Sequence, residues 1–182
     1  MGNEKMKTIK YILPLIAISL FNCEKAEVIP KMNYNVKANE LIQQIISEDS
    51  CDCFLEIPKE SMIQIAEAER PGMDIRKKLI KNLDLNNQDN LDSLSNLSNN
   101  FILDKDKLKH KKLKWIKLDT LTSYVKNGKS PFKICPIGIL CIEKPIFNKS
   151  YTIAAVGLNP ALICSSGFVA FYRFKNGKWI PK

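Results

Sequence analysis

Between Tyr11 and Phe21 the chain runs Tyr-Ile-Leu-Pro-Leu-Ile-Ala-Ile-Ser-Leu-Phe without a charge, and Cys23 follows two residues later. Ahead of this stretch Lys5, Lys7 and Lys10 outweigh Glu4. A basic leader followed by eleven uncharged, mostly apolar residues has the form of an export signal, whose apolar part measures roughly 7 to 15 residues. It is far short of the roughly 20 residues that cross a bilayer as a helix. Residues 1–22 are therefore expected to direct export and to be removed. The fold must then be built from the rest, in a compartment where thiols oxidise.

Leu20-Phe21-Asn22-Cys23 resembles the lipobox of bacterial lipoproteins, in which Leu stands three residues before the cysteine that receives diacylglycerol. Phe21 and Asn22 replace the small residues usual there, as in the relaxed boxes of Bacteroidetes and spirochaete lipoproteins. The resemblance implies acyl chains of the palmitate type on Cys23, a membrane as the first partner, and a place in the cell envelope as a periplasmic, outer-membrane or surface-exposed lipoprotein. At about 0.8 kcal/mol per buried methylene, several chains hold such a body stably. Residues 23–39, with Pro30, Asn33, Asn35 and Asn39, then read as a lipidated tether, and residues 40–182 as a single domain.

The 182 residues are 45% hydrophobic and 26% charged, enough apolar material for one core and too much for a disordered chain. The formal charge is +9, and the part beyond Asn22 stays basic. Basic surfaces attract acidic polymers and headgroups, but lysine and asparagine are so frequent here that compositional bias accounts for the excess equally well.

Apolar spacing divides the folded part into a helical half and a β half, an α+β class with helices packed on an antiparallel meander. Leu41, Ile42, Ile45 and Ile46 share one face of a helix over about Ala38–Glu48. Met62, Ile65, Ala66 and Ala68 suggest a second helix that stops at Arg70-Pro71-Gly72, and Ile75, Leu79 and Leu83 a third. Leu91, Leu94 and Leu97 form a weaker stripe. From Lys111 the pattern turns to strand, with a short helix near Asp119–Lys126. Ile137–Ile146, Tyr151–Leu158 and Ile163–Phe174 then read as strands separated by Asn148-Lys149-Ser150 and Asn159-Pro160. In the last of these Phe168, Ala170, Tyr172 and Phe174 face one way and Val169, Phe171 and Arg173 the other, so both faces should be covered. Asn176-Gly177 gives a type I′ hairpin that folds Trp179 and Ile180 back.

Lys144-Pro145-Ile146-Phe147-Asn148, the strand Tyr151–Val156, the turn Cys164-Ser165-Ser166-Gly167 and the closing Asn176-Gly177-Lys178-Trp179 resemble an uncharacterised family of secreted proteins and lipoproteins common in Bacteroidetes. The likeness covers about Phe101–Lys182. It implies a location and a β-meander; the family supplies no activity to carry over.

Lipid on Cys23 would leave five cysteines, and Cys135, Cys141 and Cys164 are expected to hold one disulfide between them. Cys51-Asp52-Cys53 lacks the spacing of a redox or metal pair, and the lone His110 lies between Lys109 and Lys111. No catalytic residue, metal or cofactor is expected on these grounds. An exported hydrolase would have to gather carboxylates such as Glu67 and Glu69, or Asp104 and Asp106. Lys105, Lys107, Lys109, Lys111, Lys112, Lys114 and Lys117 place seven lysines in thirteen residues around Trp115. Lys109, Lys111, Lys112, Lys114 and Trp115 are therefore the candidates for an anion-binding stripe, set against a plain solvated edge strand. One aromatic among the lysines is too few for nucleic-acid recognition, which is not expected. The functional expectation is a non-enzymatic, membrane-tethered protein that binds an envelope protein or glycan or serves a structural role there.

Overall fold

The computed structural model describes residues 33–69, 71–86, 88–108, 113–158 and 169–182. Helix α1 (Tyr34–Glu48) starts where the Asn33 side chain accepts from the Asn35 N–H and ends as the Asp49 N–H reaches the Ile45 carbonyl. Its buried positions Tyr34, Ala38, Leu41, Ile42, Ile45 and Ile46 repeat at helical spacing and form one stripe. The helix thus takes in residues 34–39, which the sequence assigns to the tether. The reason is a side-chain clamp. Asn35 Oδ1 accepts from the Ile102 N–H at 2.9 Å, while buried Asn39 donates to the Asn35 and Ile102 carbonyls at 2.8 and 2.9 Å and accepts from the Asp104 N–H at 2.7 Å. Asparagines that look like linker residues instead satisfy a loop that arrives more than sixty residues later.

Three further helices follow a short strand β1 (Cys53–Leu55): α2 (Met62–Glu69), α3 (Ile75–Asn82) and α4 (Gln88–Leu97). Ser61 opens α2 by a reciprocal cap with Gln64, and Asp74 caps α3 through the Lys77 N–H. Their inner faces carry Met62, Ile63, Ala66, Ile75, Leu79, Leu83, Leu91 and Leu94; Ala68 and Leu97 are exposed, so the expected stripes end one residue short. After α4 come β2 (Lys114–Ile116), α5 (Leu118–Lys126), β3 (Ile139–Leu140), β4 (Ile146–Phe147), β5 (Ile153–Gly157), β6 (Val169–Lys175) and β7 (Lys178–Pro181).

The expected antiparallel meander is present in the order β4-β5-β6-β7. Asn176 and Gly177 have φ of 51° and 78° between Lys175 and Lys178, the mirror-image turn that Asn-Gly favours. The Asn148 carboxamide oxygen accepts from the Thr152 and Ile153 N–H groups and shapes the turn into β5. On one face of the meander Phe147, Ala154, Val156 and Trp179 pack with α1; on the other Ile146, Ile153 and Ala155 pack with α2, α3 and α4. Both faces of β5 are covered; β6 is covered only in part, with Tyr172 and Phe174 half-buried against the first cluster, Val169 and Phe171 half-buried against the second, and Arg173 and Lys175 exposed.

A second, parallel sheet of order β2-β1-β3 is not anticipated by the sequence. Its central strand is buried throughout, with Phe54 in the α1 cluster and Cys53 and Leu55 against Ile116, Leu121 and Ile139 on the other face. The single strand expected over Ile137–Ile146 is in fact two, because Ile139–Leu140 pairs with β1 and Ile146–Phe147 with β5. The segment between them crosses from one sheet to the other, and the Tyr34 hydroxyl donates to the Pro145 carbonyl there at 2.7 Å.

Gly157 lies under that crossing. Its carbonyl accepts from the Glu143 N–H at 2.9 Å, and a Cβ on Gly157 would stand 1.8 Å from a Glu143 carboxylate oxygen and 2.8 Å from the Glu143 Cβ. Gly157→Ala is expected to cost about 1–3 kcal/mol in urea unfolding, the cost of overpacking a close approach. Gly72→Ala, with nothing within 4 Å, should stay within about 0.5 kcal/mol of the parent.

Candidate functional site

Strand β2 lies at one edge of the parallel sheet and exposes Lys114 and Trp115 while burying Ile116. The Trp115 ring tilts against Phe54, its partner in register on β1, with centroids 5.0 Å apart. It is nevertheless 38% exposed, and Lys105 Nζ sits 4.9 Å from its centroid. A cation over an exposed ring contributes about 0.5–1 kcal/mol.

Trp115 lines a groove of about 540 Å³, together with Glu56 and Lys59 beyond β1, Ile102 and Lys105 beyond α4, and Lys144 from the crossing segment. The Asn35–Asn39 clamp holds the Ile102 wall. Glu56 Oε1 accepts from the Leu118 N–H at 3.1 Å and so caps α5. Lys144 is 5% exposed and donates to the Lys59 carbonyl. Burial pushes its pKa below the ordinary lysine value, with the Glu60 carboxylate acting the other way. Among the described residues no carboxylate forms an ion pair with it. An ammonium taken out of water with one carbonyl as partner is a costly arrangement.

Only part of the expected stripe belongs to this groove. Trp115 forms its platform, but Lys114 turns toward the Ile134 carbonyl at 3.5 Å. Lys109, His110, Lys111 and Lys112 lie outside the described residues. Lys59 and Lys144, which the sequence reading omits, stand 85 residues apart, and neither has a neighbouring basic run to mark it.

A second groove, of about 630 Å³, runs along α1 and β7 and is lined by Glu40, Gln43, Gln44, Lys107, Phe174 and Trp179. The Gln44 side chain acts as a short strand, accepting from the Trp179 N–H at 2.8 Å and donating to its carbonyl at 2.5 Å. The buried indole packs against Phe147 and Phe174, while Trp179 Nε1 and Gln43 Nε2 are buried donors without an acceptor among the described residues. Glu40 is paired with Lys37 at 2.7 Å.

The carboxylates considered for hydrolysis line neither groove. Glu67 is held at 2.6 Å by Arg76, which also binds Asp92, and Asp104 pairs with Lys107 at 3.4 Å. Glu69 is exposed at the end of α2, and Asp106 is exposed in a short turn of helix.

The expected disulfide has a different second member. Cys135 pairs with Cys53, 82 residues away, not with Cys141 or Cys164, because the parallel pairing of β1 and β3 brings these two sulfurs together. Cys51 is disulfide-bonded as well, so Cys51-Asp52-Cys53 is not a thiol pair. Asp52, Cys53 and Cys135 do bring three potential ligand atoms within 4.8 Å, but the sulfurs are bonded to each other and Asp52 accepts from the Gly138 N–H. Cys141 is a buried free thiol, its pKa pushed up to about 12 by burial and by Glu143. Cys23 and Cys164 lie outside the described residues.

Among the described residues no helix is long and apolar enough to cross a membrane. No protein-family model, curated protein or solved structure matches the chain.

Peptide mapping after iodoacetamide treatment should find Cys141 unmodified in the native protein and modified once guanidinium unfolds it. Cys53 and Cys135 should need a reductant in addition. Alkylation of either without reductant would contradict the pairing.

Proposed function

We propose that this chain is a lipid-anchored protein of the bacterial cell envelope whose folded body is a binding domain and not an enzyme. The observation that carries the reading is Cys23 at the end of the uncharged stretch Tyr11–Phe21, with Leu20 three residues before it. Helix α1 begins at Tyr34, so the body would start about ten residues beyond the lipid, close to the bilayer it is tied to. The likeness of Lys144–Asn148 and Asn176–Trp179 to a Bacteroidetes-type family of exported proteins agrees with that address.

Grooves of about 540 and 630 Å³ fall within the roughly 300–1,000 Å³ of small-ligand sites. Among the described residues each groove has a single carboxylate, and both are engaged: Glu40 by Lys37, and Glu56 by the start of α5. Paired-carboxylate hydrolysis needs two such groups flanking one bond, so this arrangement favours binding over turnover.

Intact-mass analysis of the protein extracted from membranes should find diacylglycerol and an N-acyl chain on Cys23, and Cys23→Ala should shift the product to the aqueous fraction. A native product without fatty acid that partitions into water would overturn the anchored reading.

A further inference from the structure

We propose that the Trp115 groove is a site for an acidic glycan, with a sugar ring on the Trp115 face and its carboxylate held by Lys144, Lys59 and Lys105. The assignment rests on reading the body as a binding domain and names its ligand class.

Two independent features meet in this groove. The first is Lys144: a lysine 95% buried, lining a groove, with one carbonyl oxygen as its only hydrogen-bond partner among the described residues. Buried charges require counter-charges, and one presented to a groove takes its counter-charge from whatever enters. Lys59 and Lys105 stand at the same groove, so three lysines line it against one lining carboxylate, Glu56, which already caps α5, with Glu60 outside the lining as a further negative charge acting on Lys144. The second is Trp115, an exposed indole backed by Phe54 and therefore unable to fold inward. Lys105 lies over the ring on an exposed stem. A sugar ring seated there would displace that ammonium from the indole and meet it again as a partner for its carboxylate.

The combination sets the ligand class. A simple anion would use the lysines and leave the indole idle, and a neutral sugar would use the indole and leave Lys144 with no charged hydrogen-bond partner. A uronate uses both. The groove volume accommodates a short oligosaccharide and not a folded partner.

The test uses the full chain in detergent and follows the fluorescence of half-exposed Trp115 and its acrylamide quenching, with buried Trp179 as the internal reference. The probes are tetragalacturonate, its fully methyl-esterified neutral form, and poly-glutamate. Tetragalacturonate is expected to bind and to shield Trp115, with affinity falling as salt rises. The neutral form is expected to bind at least about tenfold more weakly, and poly-glutamate to leave Trp115 unshielded. Lys144→Met should weaken tetragalacturonate at least about tenfold while holding or raising the melting temperature, because an apolar chain suits a buried position better than an ammonium hydrogen-bonded to a single carbonyl. A purely structural lysine would give the opposite, a lower melting temperature with binding unchanged, and that result would overturn the proposal. So would equal binding of the neutral form, or shielding of Trp115 by poly-glutamate. Trp115→Ala, a change at an exposed position, removes the reporter indole, so its binding is followed by titration calorimetry; it must abolish tetragalacturonate binding there, and it serves should Lys144→Met fail to fold. Neither variant touches Cys23, so lipid analysis and glycan binding can fail separately.

Discussion

Strand β5 presents no side to water: Ala154 and Val156 lie against α1, Ile153 and Ala155 against α2, α3 and α4, and all five of its residues are buried. A strand squeezed between two helical layers needs small side chains, and Ile-Ala-Ala-Val-Gly supplies them. The layers need the strand in turn. Helices of eight to ten residues are too short to persist alone in water, so α2, α3 and α4 depend on burying their apolar faces against the sheet. Fully burying each Leu or Ile contributes about 1.5–3 kcal/mol, which is how a set of marginal elements becomes one cooperative core.

The parallel sheet has a weaker claim to stability, since its strands are two and three residues long and come from distant parts of the chain. The Cys53–Cys135 bond ties this region together. It closes a separation of 82 residues, and a link over such a loop restricts the unfolded chain by an amount of order 2–4 kcal/mol. Cys141 lies in the same cluster and would be the natural thiol to exchange with it. Exchange requires a thiolate, and a thiol pushed up to about 12 supplies almost none at neutral pH. The bond is thus structural, and an oxidising compartment suits it.

Features fixed by local chemistry were legible in the residues: the stripe Leu41–Ile46, the run Ile75, Leu79, Leu83, the Asn176-Gly177 turn and the division of the β6 aromatics between two faces. Features fixed by distant pairing were not. Cys53-Phe54-Leu55 is too short to show a strand period, and it becomes one only through β2 and β3, some sixty and eighty-six residues later. Asn35 and Asn39 carry the local signature of a linker, and nothing near them announces the loop at residues 100–104 that they bind. Trp115 was visible among its lysines, whereas Lys59 and Lys144 reach the groove only because the chain crosses between sheets.

That crossing also explains how a lysine comes to be buried. The chain between β3 and β4 is held by the Ile142–Leu158 bridge, by the Glu143 N–H on Gly157 and by the Tyr34 hydroxyl on Pro145. Lys144, fixed in the middle, has no freedom to swing its stem into solvent as surface lysines do. A sequence tuned for stability alone would place an apolar residue there, since exchanging a poorly paired buried charge for a methylene chain is neutral or favourable. The ammonium is instead fastened to the Lys59 carbonyl, in a residue that lines the same groove as an exposed indole. Stability is given up at one position and rigidity gained around it, which is the pattern of a preorganised site: the charge is desolvated on folding, so an incoming anion need not strip water from it.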